Sequence, residues 1–114
     1  MTSPAAPSPA IYVDVDDTLV RSFGAKRIPM TGMVERVREL AQKGATLYLW
    51  STGGAEYARR TAAELGLEDC FQAFLPKPEV LIDDRALEDW KVSEIHPAAC
   101  HSMRLEDILR TRRG

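Results

Sequence analysis

Two places in this chain end an apolar run in clustered carboxylates. In the first, Ile11-Tyr12-Val13 leads into Asp14, Asp16, Asp17 and Thr18; in the second, Val80-Leu81-Ile82 leads into Asp83-Asp84. Carboxylates this close repel one another and raise each other's pKa unless a cation lies among them. A hard divalent ion held by oxygen ligands, Mg2+ above all, explains the pattern better than packing does. Two further stretches carry complementary chemistry. Ser51-Thr52-Gly53-Gly54 joins an apolar run to a helical segment, and such a hydroxyl-and-glycine turn presents free N–H groups and a positive dipole end to an anion. The plainer reading, that Ser51 or Thr52 caps the helix, is compatible with the first. Lys77 stands between Pro76 and Pro78, which restrict the backbone on both sides and suit it to hold a positive charge at one point.

These residues need strands and turns to bring them together. Ile11–Val13 reads as a buried strand ending in a tight acidic turn. The segment 21–30 is broken by Gly24 and Pro29 and reads as a loop or short hairpin, with Arg21, Lys26 and Arg27 able to lie over the site. From Thr31, Met33, Val34, Val37, Leu40 and Ala41 share one helical face, and Gly44 makes the stop. Ala45–Trp50 is a second buried strand, followed by a helix from about Ala55 to Leu65 closed by Gly66. Phe71–Leu75 is a short apolar stretch. Val80–Ile82 reads as a third clear strand, and the recurrence of paired carboxylates at its end is the strongest internal argument, because open parallel sheets deliver ligands at the carboxyl ends of their strands.

Beyond Asp84 the signal thins. Arg85–Trp90 is a turn or short helix whose Glu88 and Asp89 either support a metal indirectly or are simply exposed. Lys91–Ile95 allows a last strand, and residues 103–113 carry a helical face of Leu105, Ile108 and Leu109 with a basic end. His96, Cys100 and His101 match no zinc spacing.

The whole chain bounds the function. Its 114 residues make one domain, 11–114, after a proline-rich leader, 1–10, expected to be disordered. At 45% hydrophobic and 28% charged the composition is that of a globular domain, and a net charge of −2 gives no electrostatic reason for a nucleic-acid or anionic-membrane partner. No apolar run approaches the ~20 residues of a membrane span. Cys70 and Cys100 read as reduced thiols, and the expected location is cytoplasmic.

Taken together, the strand with Asp14-Val15-Asp16-Asp17-Thr18, the strand with Ser51, the loop Lys77 and the strand with Asp83-Asp84 resemble, in type and order, the haloacid dehalogenase-like (HAD) hydrolase superfamily in its small capless form. The resemblance covers residues 11 to about 85. It implies a Rossmann-like three-layer α/β/α sandwich with a small, mostly parallel sheet and no cap domain, a bound Mg2+, and phosphoryl transfer through an aspartyl-phosphate. It further implies Asp14 as nucleophile and Asp16 as general acid and base. Thr18 would steady the turn, Ser51 with Thr52 and Gly53 would hold the phosphoryl oxygens, and Lys77 would neutralise their charge. Asp14, Asp16 through its backbone carbonyl, Asp83 and Asp84 would form the metal site.

One departure from the family pattern has structural consequences. Asp83 follows Lys77 by six positions and four residues separate Leu75 from Val80, whereas a parallel crossover takes at least about ten. Either Phe71–Leu75 is not a regular parallel strand, or the third unit is pared away and Lys77 enters from another direction; the sheet is expected to have four or five strands. With no cap the site is open, which suits a phosphorylated substrate on a bulky or macromolecular carrier, or closure by another subunit of a homo-oligomer. The leading expectation is a Mg2+-dependent phosphatase. The alternatives are a non-hydrolytic Mg2+- and phosphate-binding module of the same fold, and a phosphotransferase.

Overall fold

The sheet grows outward from the first acidic strand. In the computed structural model, which describes residues 8–110, β1 (Ala10–Asp14) pairs in parallel with β4 (Thr46–Ser51), and β4 with β5 (Ala73–Pro76), in the order β1-β4-β5. Asp14 stands level with Trp50, and Ser51 with Pro76, so the carboxyl ends of all three strands lie at one end of the sheet. Between β1 and β4 come an antiparallel hairpin, β2 (Val20–Phe23) and β3 (Lys26–Pro29), turning at Gly24, and helix α1 (Thr31–Gln42). Helix α2 (Ala55–Glu64) makes the second crossover, and α3 (Pro97–Cys100) and α4 (Leu105–Leu109) complete the chain.

The helices form where the apolar spacing has a 3.6-residue period. Met33, Val34, Val37 and Leu40 are the buried residues of α1, and Ala58, Thr61 and Ala62 those of α2. Each chain segment then leaves its helix through a glycine with positive φ, Gly44 at 92° and Gly66 at 71°. Both crossovers step in the same direction across the sheet, and right-handed connections therefore put both helices on one face. That face carries Val13, Leu47 and Leu49, which join the helical residues in a single core. Burying each such leucine contributes about 1.5–3 kcal/mol. Arg36 of α1 donates to the carbonyls of His101 and Met103, tying the C-terminal segment to this helix, and Cys100 and Ile108 close the core there.

The opposite face carries Tyr12, Tyr48 and Trp50, with Tyr12 stacked on Tyr48 at 4.8 Å. Tyr12 is 48% exposed, so among the described residues no second helical layer closes that face over β1, and the third layer of the expected α/β/α sandwich is not seen there. The chain is mixed α/β with a small parallel sheet, and three of the expected features change. The parallel sheet has three strands among the described residues, not four or five. Val80–Ile82 is no strand but exposed irregular chain, and Lys91–Ile95 is irregular as well. Phe71–Leu75 does contribute a regular parallel strand, shifted to Ala73–Pro76; what has been pared away is the unit after it. A strand needs a partner, and three residues after β5 there is no chain to carry Val80 back to the start of the sheet.

Two residues of the expected leader belong to the folded body, since Ala10 opens β1 and the Pro9 carbonyl accepts the Thr46 N–H. Its residues 1–7, and the basic end of the expected C-terminal helix at 111–114, lie outside the described residues. Cys70 and Cys100 are free thiols, and burial pushes both up in pKa. Among the described residues no helix is long and apolar enough to cross a membrane.

Candidate functional site

The acidic turn is built on one carbonyl. Val15 O accepts the N–H groups of Thr18, Leu19 and Val20, while Asp17 N–H donates to Val20 O at 2.7 Å. To close this tightly the chain passes through φ 62° at Asp17, a left-handed conformation that aspartate tolerates better than most residues. Asp14 is thereby held at the end of β1 with Thr18 folded back over it, the Thr18 hydroxyl donating to Asp14 Oδ2 at 3.3 Å.

Lys77 arrives from two strands away. Its Nζ lies 3.1 Å from Asp14 Oδ1, and its backbone N–H donates to Ser51 O at 3.0 Å. The short link after β5 does not hinder this, because Lys77 directly follows a strand that ends level with Ser51. Both side chains are about a third exposed, and an ion pair so placed adds little to stability. Its consequence is positional: one cation faces one carboxylate at the mouth of the sheet.

The turn after β4 has its own constraints. Ser51 is 1% exposed and its Oγ accepts the Gly53 N–H at 2.9 Å, so in this conformation the hydroxyl shapes the turn that presents Thr52 and Gly53 to solvent. A Cβ on Gly53 would stand 2.9 Å from Tyr57 Cδ2, which is why a side chain is missing there. The N-cap of α2 is Gly54, with no side-chain cap bond; the capping role considered for Ser51 or Thr52 does not hold.

Asp16 has a partner that the sequence pattern does not announce. The Tyr57 hydroxyl donates to Asp16 Oδ1 at 2.7 Å, and Arg27 from β3 donates to that same hydroxyl at 3.1 Å and to Thr61 Oγ1 at 2.7 Å. Arg27 also pairs with Glu64 at 2.8 Å, and its guanidinium lies 5.0 Å over the Tyr57 ring. Burial, followed by the bond to negative Asp16, raises the Tyr57 pKa above its ordinary value. The hairpin therefore braces Asp16 through Tyr57. The one available signal is positional, a tyrosine in the first turn of the helix after the glycine turn.

Asp14, Asp16, Thr18, Ser51, Thr52, Gly53 and Lys77 thus gather at the carboxyl ends of β1, β4 and β5. Asp83 and Asp84 do not join them. Asp83 accepts the N–H of Arg85 at 2.9 Å, and among the described residues no three His, Cys, Asp or Glu side chains converge on a point that could hold a metal. Glu88 and Asp89 are exposed. With one carboxylate, Asp14, at the sheet end beside Lys77, a Mg2+ ion there would keep most of its own water, as it does with one or two carboxylates and a phosphate. His96 caps α3 by accepting the Ala98 N–H.

Two cavities flank the turn. One of about 310 Å³ lies beside Asp17 and Arg21 against His96 and His101. The other, about 200 Å³, follows β1 with Asp14 and Thr18 at its end. Comparison with known proteins finds no match to a family model, a curated protein or a solved structure.

Proposed function

We propose that this chain is a phosphohydrolase of the haloacid dehalogenase-like type, cleaving phosphomonoesters with Asp14 as nucleophile, Asp16 as general acid and base, and Mg2+ as cofactor. The observation that carries the reading is Lys77 Nζ at 3.1 Å from Asp14 Oδ1. A lone carboxylate repels a phosphate dianion, whereas a carboxylate paired with a positioned ammonium can attack phosphorus while the ammonium faces the equatorial oxygens.

The Asp14 oxygen attacks phosphorus, the ester P–O bond breaks, and the Asp16 carboxyl gives its proton to the leaving oxygen. In the second half, Asp16 takes a proton from water as the water oxygen attacks the same phosphorus. The bond to Asp14 then breaks, releasing inorganic phosphate. Thr18 holds Asp14 in line, and the Thr52-Gly53 turn with the free N–H groups of α2 faces the remaining oxygens. Mg2+, when bound, supplies further positive charge at the phosphoryl group.

The parallel order β1-β4-β5 with helical crossovers supports the Rossmann-like reading of the fold, and two free cysteines suit a cytoplasmic location. The open sheet end suits a phosphate on a bulky carrier. The test is phosphate release from a panel of phosphomonoesters with Mg2+, beside EDTA and Asp14→Asn controls. Turnover that needs both the metal and Asp14 supports the reading, and absence of turnover on every substrate sinks it. The position of Asp83 and Asp84 away from the turn favours a second reading, a Mg2+- and phosphate-binding module, for which calorimetry would find binding where the panel finds no release. Product analysis with alternative acceptors separates hydrolysis from phosphotransfer.

A further inference from the structure

Among the described residues, the edge of β1 that faces away from β4 pairs with no strand. Since the Pro9 carbonyl accepts the Thr46 N–H, the alternate residues Ile11 and Val13 also turn their backbone groups toward β4, and Ala10, Tyr12 and Asp14 turn theirs outward. Along this edge runs the cavity of about 200 Å³, walled by Ile11, Val13, Val37, Ile95 and Ile108. Elsewhere on the molecule Val80, Leu81 and Ile82 are 78%, 49% and 95% exposed, the one run of three consecutive exposed large apolar residues among those described. Two β-branched residues flank the leucine, a composition that favours strand.

The two features cannot meet within one chain. For Asp83 to stand level with Asp14 in a parallel strand, Val80 must stand level with Ile11, about 13 Å below Pro76 and three strand spacings, about 14 Å, to the side. That is about 20 Å, and the four residues from Pro76 to Val80 span at most about 14 Å. An antiparallel entry would use the whole reach of a link containing Pro76 and Pro78, and it would carry Asp83 to the opposite end from Asp14. A second copy of the chain is free of both limits.

We infer that Val80–Ile82 of a second copy docks as a parallel strand on the free edge of β1, reciprocally, and brings the second copy's Asp83 and Asp84 beside Asp14. Three such side chains cover about 300 Å², so two strands and two grooves bury about 1,200 Å², the lower end of stable specific interfaces. Strand addition to an open edge also satisfies the outward backbone groups. The exchange rests on strand geometry alone; the use made of the carboxylates rests on the phosphohydrolase reading. Four carboxylates at one sheet end repel without a cation, so Mg2+ should tighten the dimer.

The test is the molar mass of the full chain by light scattering across protein concentration, with amide exchange read at residues 80–82. A dimer whose Val80–Ile82 amides are protected, and which Ile82→Lys and Leu81→Pro each weaken about tenfold or more, supports the exchange. A chain that stays monomeric up to about 100 µM with Mg2+ present, or a dimer indifferent to both substitutions, overturns it. In the Mg2+ arm, the Asp83→Asn/Asp84→Asn double variant, relieved of that repulsion, should dimerise in EDTA at least as tightly as the parent chain does there and lose the tightening by Mg2+. A parent dimer equally tight with and without Mg2+ overturns the delivery of the carboxylates. A dimer without phosphatase activity leaves the exchange standing and removes the proposed function; an active monomer does the reverse.

Discussion

Ile11–Asp14 runs in a sheet with Val13 at 7% exposure, whereas Val80–Asp83, likewise three apolar residues and an aspartate, lies outside any sheet with Ile82 at 95%. The two segments differ in the chain that connects them to a neighbouring strand. After Asp14 there are a hairpin and the twelve-residue α1 with which to return and lay β4 beside β1. Before Val80 there are only Lys77, Pro78 and Glu79 after the end of β5, and Pro78 has no N–H to give a ladder. Strand competence is local, and strand pairing is a property of the connection.

The largest expected effect tests whether the acid at the end of the paired strand is the reactive one. Asp14→Asn removes the nucleophile while leaving the shape, and phosphate release should fall at least about a thousandfold. Lys77→Met, which keeps the length and loses the charge, should cost about 10²–10³-fold. Both are read from kcat/KM with circular dichroism confirming the fold. Equal loss from Asp14→Asn and from Glu88→Gln in the exposed segment would erase the distinction between the two regions.

Stability should divide along the same line. Leu49→Ala empties a site of 0% exposure and should cost about 2–5 kcal/mol. Ile82→Ala, measured on dilute monomer, should lie within about 0.5 kcal/mol of the parent chain. Urea titration decides it. A large loss at Ile82 in the monomer would mean that the segment is buried within its own chain.

The first region is legible in the sequence and the second is not, for reasons that can be named. The period of Met33, Val34, Val37 and Leu40 and the glycine after it specify α1, and the short apolar run Ala45–Trp50 between two glycine turns specifies β4, because local spacing carries that information. Lys77 is harder to place, since the short crossover argues against it; its reach depends on β5 lying next to β4, a tertiary fact. Val80–Ile82 reads as a strand in error because hydrophobicity signals a strand without specifying its partner. Tyr57 escapes because its contact with Asp16 spans 41 positions, and its place in the first turn of α2 does not say what it touches.

A kinetic effect of intermediate size is expected from that contact. Tyr57→Phe removes one hydrogen bond to a carboxylate and should lower kcat about tenfold with KM little changed. Arg27→Met should reproduce part of the loss, because Arg27 reaches Asp16 only through Tyr57. If Arg27→Met were the more damaging to kcat, the hairpin would act on substrate directly.

The smallest effect is alkaline and tests whether the brace belongs to the folded body. The Tyr57 pKa is raised in the folded chain, by burial first and by Asp16 second. As pH rises past about 10 the unfolded tyrosine loses its proton first. The folded state then holds more protons than the unfolded one, and stability declines with pH until the folded group also ionises. The contribution is complete below the unfolded pKa and is lost as pH climbs through the folded one. Urea midpoints measured from pH 8.5 upward should therefore fall more steeply for the parent chain than for Tyr57→Phe, with the two curves parallel below pH about 9. Parallel curves throughout would mean that Tyr57 is no more constrained in the folded chain than in the unfolded one, and the brace between α2 and the acidic turn would lose its physical basis.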